Sequence, residues 1–267
     1  MTMNSKSNDF SVARKSLGQH FLRDQKAISS IVKAVPQGVT AIEIGPGQGA
    51  ITKHLLDRVG RLVVIEKDDR FAQYWQQHMA EFASLQVVHG DVMEELAQSI
   101  QTYQPQWIVG NLPYNISGPL TAELASYALL GGMVLMYQRE VAERIVSEPG
   151  SKVYGGLSVL VRHYYDVKRL LTLPPGAFSP PPKVHSAVVV MSPHGRVPEI
   201  DFEWLQQTVR KGFAHRRKTI MNNFRGVFTE ADFQQLDIDP RKRPEQLAYA
   251  AWAGLAQLIR DKQSAEA

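Results

Sequence analysis

Apolar residues in this chain fall into short runs, and between the runs they recur at helical spacing. Ala41-Ile42-Glu43-Ile44, Leu62 to Ile65, Leu85 to His89, Trp107 to Val109 and Gly132 to Tyr137 each read as a strand. The first leads into a glycine cluster and a helical stretch near Ile51 to Leu56; the second leads into a helix-like segment rich in Gln and Ala. This is the βαβα rhythm of an open, mostly parallel sheet with helices on both faces. Two further β-rich runs, Val167 to Leu173 and Val184 to Met191, flank PPGAFSPPPK and suit a hairpin-like pair joined by a stiff loop. The turn-rich SPHGRVP beginning at Ser192 then marks a boundary. Beyond it the pattern is helical: DFEWLQQTVRKGF, RRKTIMNNF, TEADFQQL and PEQLAYAAWAGLAQLIRDK. Tyr249 and Trp252 recur at helical spacing in the last of these and are assigned to a core. The chain is therefore divided into an α/β domain over 1–193 and a smaller helical domain over 194–267.

Composition narrows the chemistry. With 267 residues and 44% hydrophobic content the chain can fill a sizeable core. There is no cysteine, which excludes disulfide scaffolds, thiolate zinc sites and cysteine nucleophiles. Lys and Arg outnumber Asp and Glu by 30 to 26, and the pI near 9.2 hints at a polyanionic partner. MTMNSKSNDFSVARKS lacks the apolar core of a signal peptide, and no apolar run approaches the ~18 residues of a membrane helix, so a cytoplasmic location is expected.

Candidate chemistry gathers at the ends of the expected strands. EIGPGQG puts Gly45, Gly47 and Gly49 after the first strand, where backbone N–H groups can approach a ligand. The spacing is not the GxGxxG dinucleotide fingerprint. Glu66 closes the second strand, about twenty residues on, where a carboxylate can accept both hydroxyls of a ribose. Asp91 follows the third, where it can accept from the amine of an adenine or cap a helix. Each feature alone also fits a bland role: a tight turn, a solvated acid, an N-cap. Together they describe an adenosine-bearing ligand across the carboxyl ends of the strands.

The fourth strand delivers Asn111-Leu112-Pro113-Tyr114 to the same edge. Pro113 restricts Leu112 to extended geometry, so the Leu112 carbonyl and the Asn111 side-chain oxygen form two acceptors facing one small volume. They can orient an aromatic amine so that its lone pair becomes nucleophilic, while Tyr114 stacks on the ring. The motif holds no Asp, Glu or His, so positioning against a sulfonium methyl, rather than a dedicated base, is its expected device. A strand-terminating turn is the plain alternative.

KSLGQHFL (15–22), EIGPGQGAIT (43–52), VIEKD (64–68), GDVM (90–93), GNLPYNIS (110–117) and PPGAFSPPPKVHSAVV (174–189), in this order, resemble the ribosomal RNA adenine dimethyltransferase family, and within it the type that modifies small-subunit rRNA. The likeness covers nearly the whole chain. It implies a Rossmann-like S-adenosylmethionine-dependent methyltransferase sheet with a C-terminal helical domain. It also implies S-adenosylmethionine as methyl donor, no metal, and two adjacent adenines in a hairpin near the 3′ end of 16S rRNA as acceptors, each becoming N6,N6-dimethyladenine, with a role in small-subunit biogenesis. Carried onto this sequence, donor contacts fall on His20, Leu22, Gly45, Gly47, Glu66, Asp91, Val92 and Asn111. The target-base pocket takes Asn111, Leu112, Pro113 and Tyr114, with Phe178 sandwiching a flipped adenine from the other side. Many relatives carry Asn in place of His20 and an acid in place of His185; at position 20 either side chain can donate a hydrogen bond.

Basic residues crowd the start of the helical region, at Arg210-Lys211, His215 to Lys218 and Arg225, with a second cluster at Arg241 to Arg243. Arg216, Arg217 and Lys218, with Arg14 and Lys15 of the N-terminal arm, are the expected RNA contacts; a solvated helical face is the alternative. The partner implied is small-subunit rRNA, bound by a monomer, with no membrane. Rival readings are a large-subunit rRNA adenine dimethyltransferase, disfavoured by FSPPPKV and the RRKT-containing tail, a DNA adenine methyltransferase, and a non-catalytic assembly or transcription factor on the same fold.

Overall fold

The computed structural model describes residues 12–14, 17–128 and 131–266. The chain opens with β1 (Phe21–Leu22), α1 (Gln25–Ala34), β2 (Thr40–Ile44) and α2 (Thr52–Leu56). It continues through β3 (Arg61–Glu66), α3 (Asp69–His78), β4 (Leu85–His89), α4 (Val92–Tyr103), β5 (Trp107–Asn111) and α5 (Ser117–Leu124). Then come β6 (Gly132–Gln138), α6 (Arg139–Val146), α7 (Gly156–Val161), β7 (Tyr165–Leu173), β8 (Phe178–Ser179) and β9 (Ser186–Pro193). Helices α8 (Phe202–Gly212), α9 (Ile220–Asn223), α10 (Glu230–Gln235) and α11 (Tyr249–Glu266) follow.

Seven strands form one sheet in the order β4-β3-β2-β5-β6-β9-β7. The pairs β2/β3, β2/β5, β3/β4 and β5/β6 are parallel, with Ile44 level with Ile65 on one side and Gly110 on the other. Parallel strands are covered on both faces, which is why they read as unbroken apolar runs. From Ala41 to Ile44, Glu43 included, no residue is more than 2% exposed. From β2 the chain builds outward through β3 and β4, then restarts on the other side with β5. The gap between β2 and β5 is thus a topological switch point, where open α/β sheets bind ligands beyond their carboxyl ends.

All five expected strands are present, and β7 and β9 are sheet neighbours as expected of the later pair. Two expectations fail. The proline-rich loop holds a strand of its own: β8 pairs antiparallel with β1 near the N-terminus, Leu22 opposite Phe178. The helix expected over RRKTIMNNF shrinks to the single turn α9, because the Thr219 side chain accepts from the Asn222 N–H and so caps the helix after the basic residues.

The chain divides into two compact units. The first comprises the described residues of 1–117, 129–139 and 169–190; the second comprises 118–128, 140–168 and those of 191–267, so it draws on more chain than the 194–267 segment. In the second, α8 packs on α7 and α11. Gly212 has no side chain where Trp252 arrives: a methyl there would lie 2.4 Å from the indole. Trp252 is fully buried and stacks on Phe213, as a core residue should. His163 is also fully buried, its Nδ1 2.9 Å from the Tyr249 hydroxyl, and burial pushes its pKa down to about 4, so it is neutral. Among the described residues no helix is long and apolar enough to cross a membrane, and no group of three or more His, Asp or Glu could hold a metal ion.

Candidate active site

A single cleft in the first unit collects the carboxyl ends of β2, β3, β4 and β5 and is walled by Leu17 to Leu22. Its floor is the glycine loop. Gly45, Gly47 and Gly49 all have positive φ, a conformation that side chains resist. At Gly49 an added Cβ would also lie 2.3 Å from the ring of Trp75, whose indole N–H donates to the Gly47 carbonyl at 3.0 Å. The loop is therefore held in shape by packing before any ligand arrives.

Glu66, the last residue of β3, is 6% exposed. Its Oε2 accepts from the Gly47 N–H at 3.0 Å and its Oε1 from the Asp68 N–H at 2.8 Å. Burial raises its pKa, and the Asp68 and Gly47 N–H donors offset part of that rise. The carboxylate keeps lone pairs for two further donors, as a ribose diol would supply. Asp91 caps α4: Oδ1 accepts from the Met93 N–H at 3.0 Å, and Oδ2 meets the Lys67 ammonium at 2.6 Å. That ammonium, then the Met93 N–H, holds its pKa below the usual carboxylate range. Val92, the first residue of α4, lines the cleft beside it.

Asn111 ends β5. Its Nδ2 donates to the His20 carbonyl at 2.8 Å; a carbonyl can only accept, so the amide orientation is fixed and Oδ1 is left as the acceptor. The Leu112 N–H is tied to the Met136 carbonyl at 3.2 Å, and Leu112, Pro113 and Tyr114 all line the cleft. The Tyr114 hydroxyl lies 2.9 Å from Ser186 Oγ, and burial raises its pKa. The His20 imidazole lies across its ring, with centroids 5.7 Å apart and planes 26° apart.

The sequence expectations are therefore brought together in large part: His20, Leu22, Gly45, Gly47, Glu66, Asp91, Val92 and Asn111 to Tyr114 share one cleft. Phe178 does not join them. It is 4% exposed, belongs to the apolar core cluster and sits opposite Leu22 in the β1–β8 pairing. At His20, Nδ1 lies 2.8 Å from the Pro180 carbonyl, which can only accept, so Nδ1 is the donor there and Nε2 is the ring nitrogen left for the cleft. Arg14 pairs with Asp68 at 3.2 Å. Lys15 lies outside the described residues. Arg216 is half-buried, donating to the Lys152 carbonyl, with Glu245 3.9 Å away; Arg217 and Lys218 are exposed.

Three residues escaped sequence reasoning. Glu43, in β2, lines the cleft with Oε2 buried and unpartnered; burial, with Glu66 adding and the neighbouring Thr52 hydroxyl opposing, pushes its pKa up to about 8. An acid inside an apolar strand was the available signal. Asp68 and Ser186 are fully buried beside the cleft residues they bind; both lie within the quoted motifs VIEKD and PPGAFSPPPKVHSAVV, which gave them no individual role.

Residues 10–261 match the family model described as ribosomal RNA adenine dimethylase. The ribosomal RNA small subunit methyltransferases A of Xanthomonas oryzae pv. oryzae and Xanthomonas campestris pv. campestris are each 43% identical over 249 residues, covering 91% of this chain and 95% of theirs. Among solved structures, a dimethyladenosine transferase from Plasmodium falciparum superposes with a TM-score of 0.80 at 24% identity, over 91% of this chain and 98% of that one. The 23S rRNA methyltransferase ErmE gives 0.68 at 20% identity, over 90% and 99%. These two likenesses speak for the fold; the family match and the sequence identity, falling on a cleft with this donor and acceptor set, place the chain in the ribosomal RNA adenine dimethylase family.

Proposed function

We propose that the protein dimethylates the N6 amines of two adjacent adenines in a hairpin near the 3′ end of small-subunit rRNA, with S-adenosylmethionine as methyl donor. The observation that carries this reading is the convergence, in one cleft at the switch point, of the glycine loop, Glu66, Asp91 and the oriented Asn111 amide. The donor chemistry fits the residues present: Glu66 suits a ribose diol, Asp91 an adenine amine, and the N–H-rich loop the polar tail. When bound, S-adenosylmethionine supplies an electrophilic methyl on a sulfonium.

The chain's own residues do the rest. Asn111 Oδ1 and the Leu112 carbonyl accept the two N–H bonds of the target amine and aim its lone pair along the line of displacement. Tyr114, tethered to Ser186, supports the ring of the flipped base by stacking, a contact of about 1–3 kcal/mol. The methylated amine then loses its extra proton to solvent. Exposed Arg217 and Lys218 supply phosphate-facing charge.

The test is radiolabelled methyl transfer to small subunits lacking the modification, beside large subunits and duplex DNA. Label in the small-subunit adenines alone is expected; transfer only to large subunits or DNA would overturn the reading.

A further inference from the structure

The N-terminal arm forms one wall of the cleft, yet little of it belongs to regular structure: β1 is two residues long. His20 is held by Asn111 and Pro180, and the side chains of Arg14 and Gln19 converge on one carboxylate. Asp68 is fully buried. From the arm, Arg14 reaches its Oδ1 at 3.2 Å and Gln19 Nε2 donates to its Oδ2 at 2.9 Å, while Gln19 Oε1 accepts from the Arg14 N–H at 2.8 Å. From α3, Arg70 approaches both oxygens, with Nε 3.0 Å from Oδ1 and Nη2 2.7 Å from Oδ2, and its Nη1 donates to the Val12 carbonyl at 3.0 Å. The Asp68 N–H donates to Glu66, the acid assigned to the donor ribose.

We infer that Asp68 is a positioning residue for the methyl donor: a buried latch that binds the arm through Arg14 and Gln19 and holds it over the cleft beside Glu66. This rests on the reading of the cleft as the S-adenosylmethionine site. Asp68 touches no reacting atom; its effect passes through the arm and through Glu66. Burial opposes its ionisation, but the Arg70 and Gln19 donors outweigh that and hold its pKa below the usual range, so the latch is charged at neutral pH. Arg14 thus commits one Nη to Asp68 while its side chain remains 43% exposed.

Asp68 also caps α3 by accepting from the Arg70 N–H at 3.2 Å, and a cap alone would make it merely structural. Asp68→Asn separates the roles, since Asn caps a helix as well as Asp but carries no charge for two guanidinium groups. In RNA-free titration calorimetry with S-adenosylmethionine, D68N is expected to raise Kd about tenfold, a coupling of ordinary size. At saturating donor its kcat should stay within about twofold of the wild type, and trypsin should cut faster at Arg14. R14Q, altering a side chain 43% exposed and so sparing the core, should raise Kd in the same direction, and the double variant should be no worse than D68N alone. An unchanged Kd in both variants, or additive effects, would overturn the latch. If the wild type fails to bind S-adenosylmethionine, the assignment of the cleft fails instead.

Discussion

Replacing Glu43 with Gln should make the protein more stable, and increasingly so as pH rises. The side chain is 2% exposed, one of its oxygens has no partner, and its pKa is pushed from 4.5 up to about 8. The unfolded chain gives up this proton near pH 4.5, whereas the native state keeps it until about pH 8. Between those limits the native state binds more protons than the unfolded one, so stability falls as pH rises, and the fall is complete above pH 8. At about 1.4 kcal/mol per pH unit, the shift sets a ceiling of about 5 kcal/mol. Gln mimics the protonated acid and has nothing to ionise; any packing difference it introduces is constant with pH. Urea midpoints for wild type and E43Q at pH 4.5, 6, 7 and 8 should therefore diverge steadily, in favour of the variant. Parallel curves would show that Glu43 ionises normally in place and would refute the argument from burial.

Asn111→Ala removes the oriented acceptor and should lower kcat by roughly 10²–10³-fold, as loss of a preorganised polar group does, while leaving binding to small subunits intact; single-turnover methylation and a sedimentation assay read the two separately. Gly49→Ala meets both a left-handed backbone and the Trp75 ring 2.3 Å away, and should cost about 2–4 kcal/mol in thermal unfolding, with weaker donor binding. His163 has a folded pKa of about 4 against 6.5 unfolded, so the unfolded state binds more protons in that window and stability is lost as pH falls through it; H163Q should remove about 2 kcal/mol of that acid sensitivity in urea titrations at pH 4.5 and 7.

The central strands β2, β3, β5 and β6 were legible because they are buried on both faces and so must be apolar along nearly their whole length. Helix caps at Asp68 and Asp91 sit where the chain leaves β3 and β4, which keeps the chemistry close to the fold in sequence. Pairing between distant segments was not legible. The two-residue β1 and β8 carry no periodicity, so Phe178, surrounded by prolines, read as a loop residue when it lies in a paired strand. Arg14 shows the same limit: its charge is visible locally, whereas Asp68, the carboxylate it pairs with, lies across the fold. The basic run from His215 to Lys218 kept its charge but lost its helix to the Thr219 cap.

The bond between the Asn111 amide and the His20 carbonyl has a consequence for where activity can be lost. An amide that leans on a peptide unit from the far N-terminal end has its compass set by a piece of chain outside the sheet. Shortening the protein past that residue would leave the amide able to spin, presenting NH₂ as readily as oxygen to an amine that needs only acceptors. Such a truncate could keep its sheet and its glycine loop intact and still be silent.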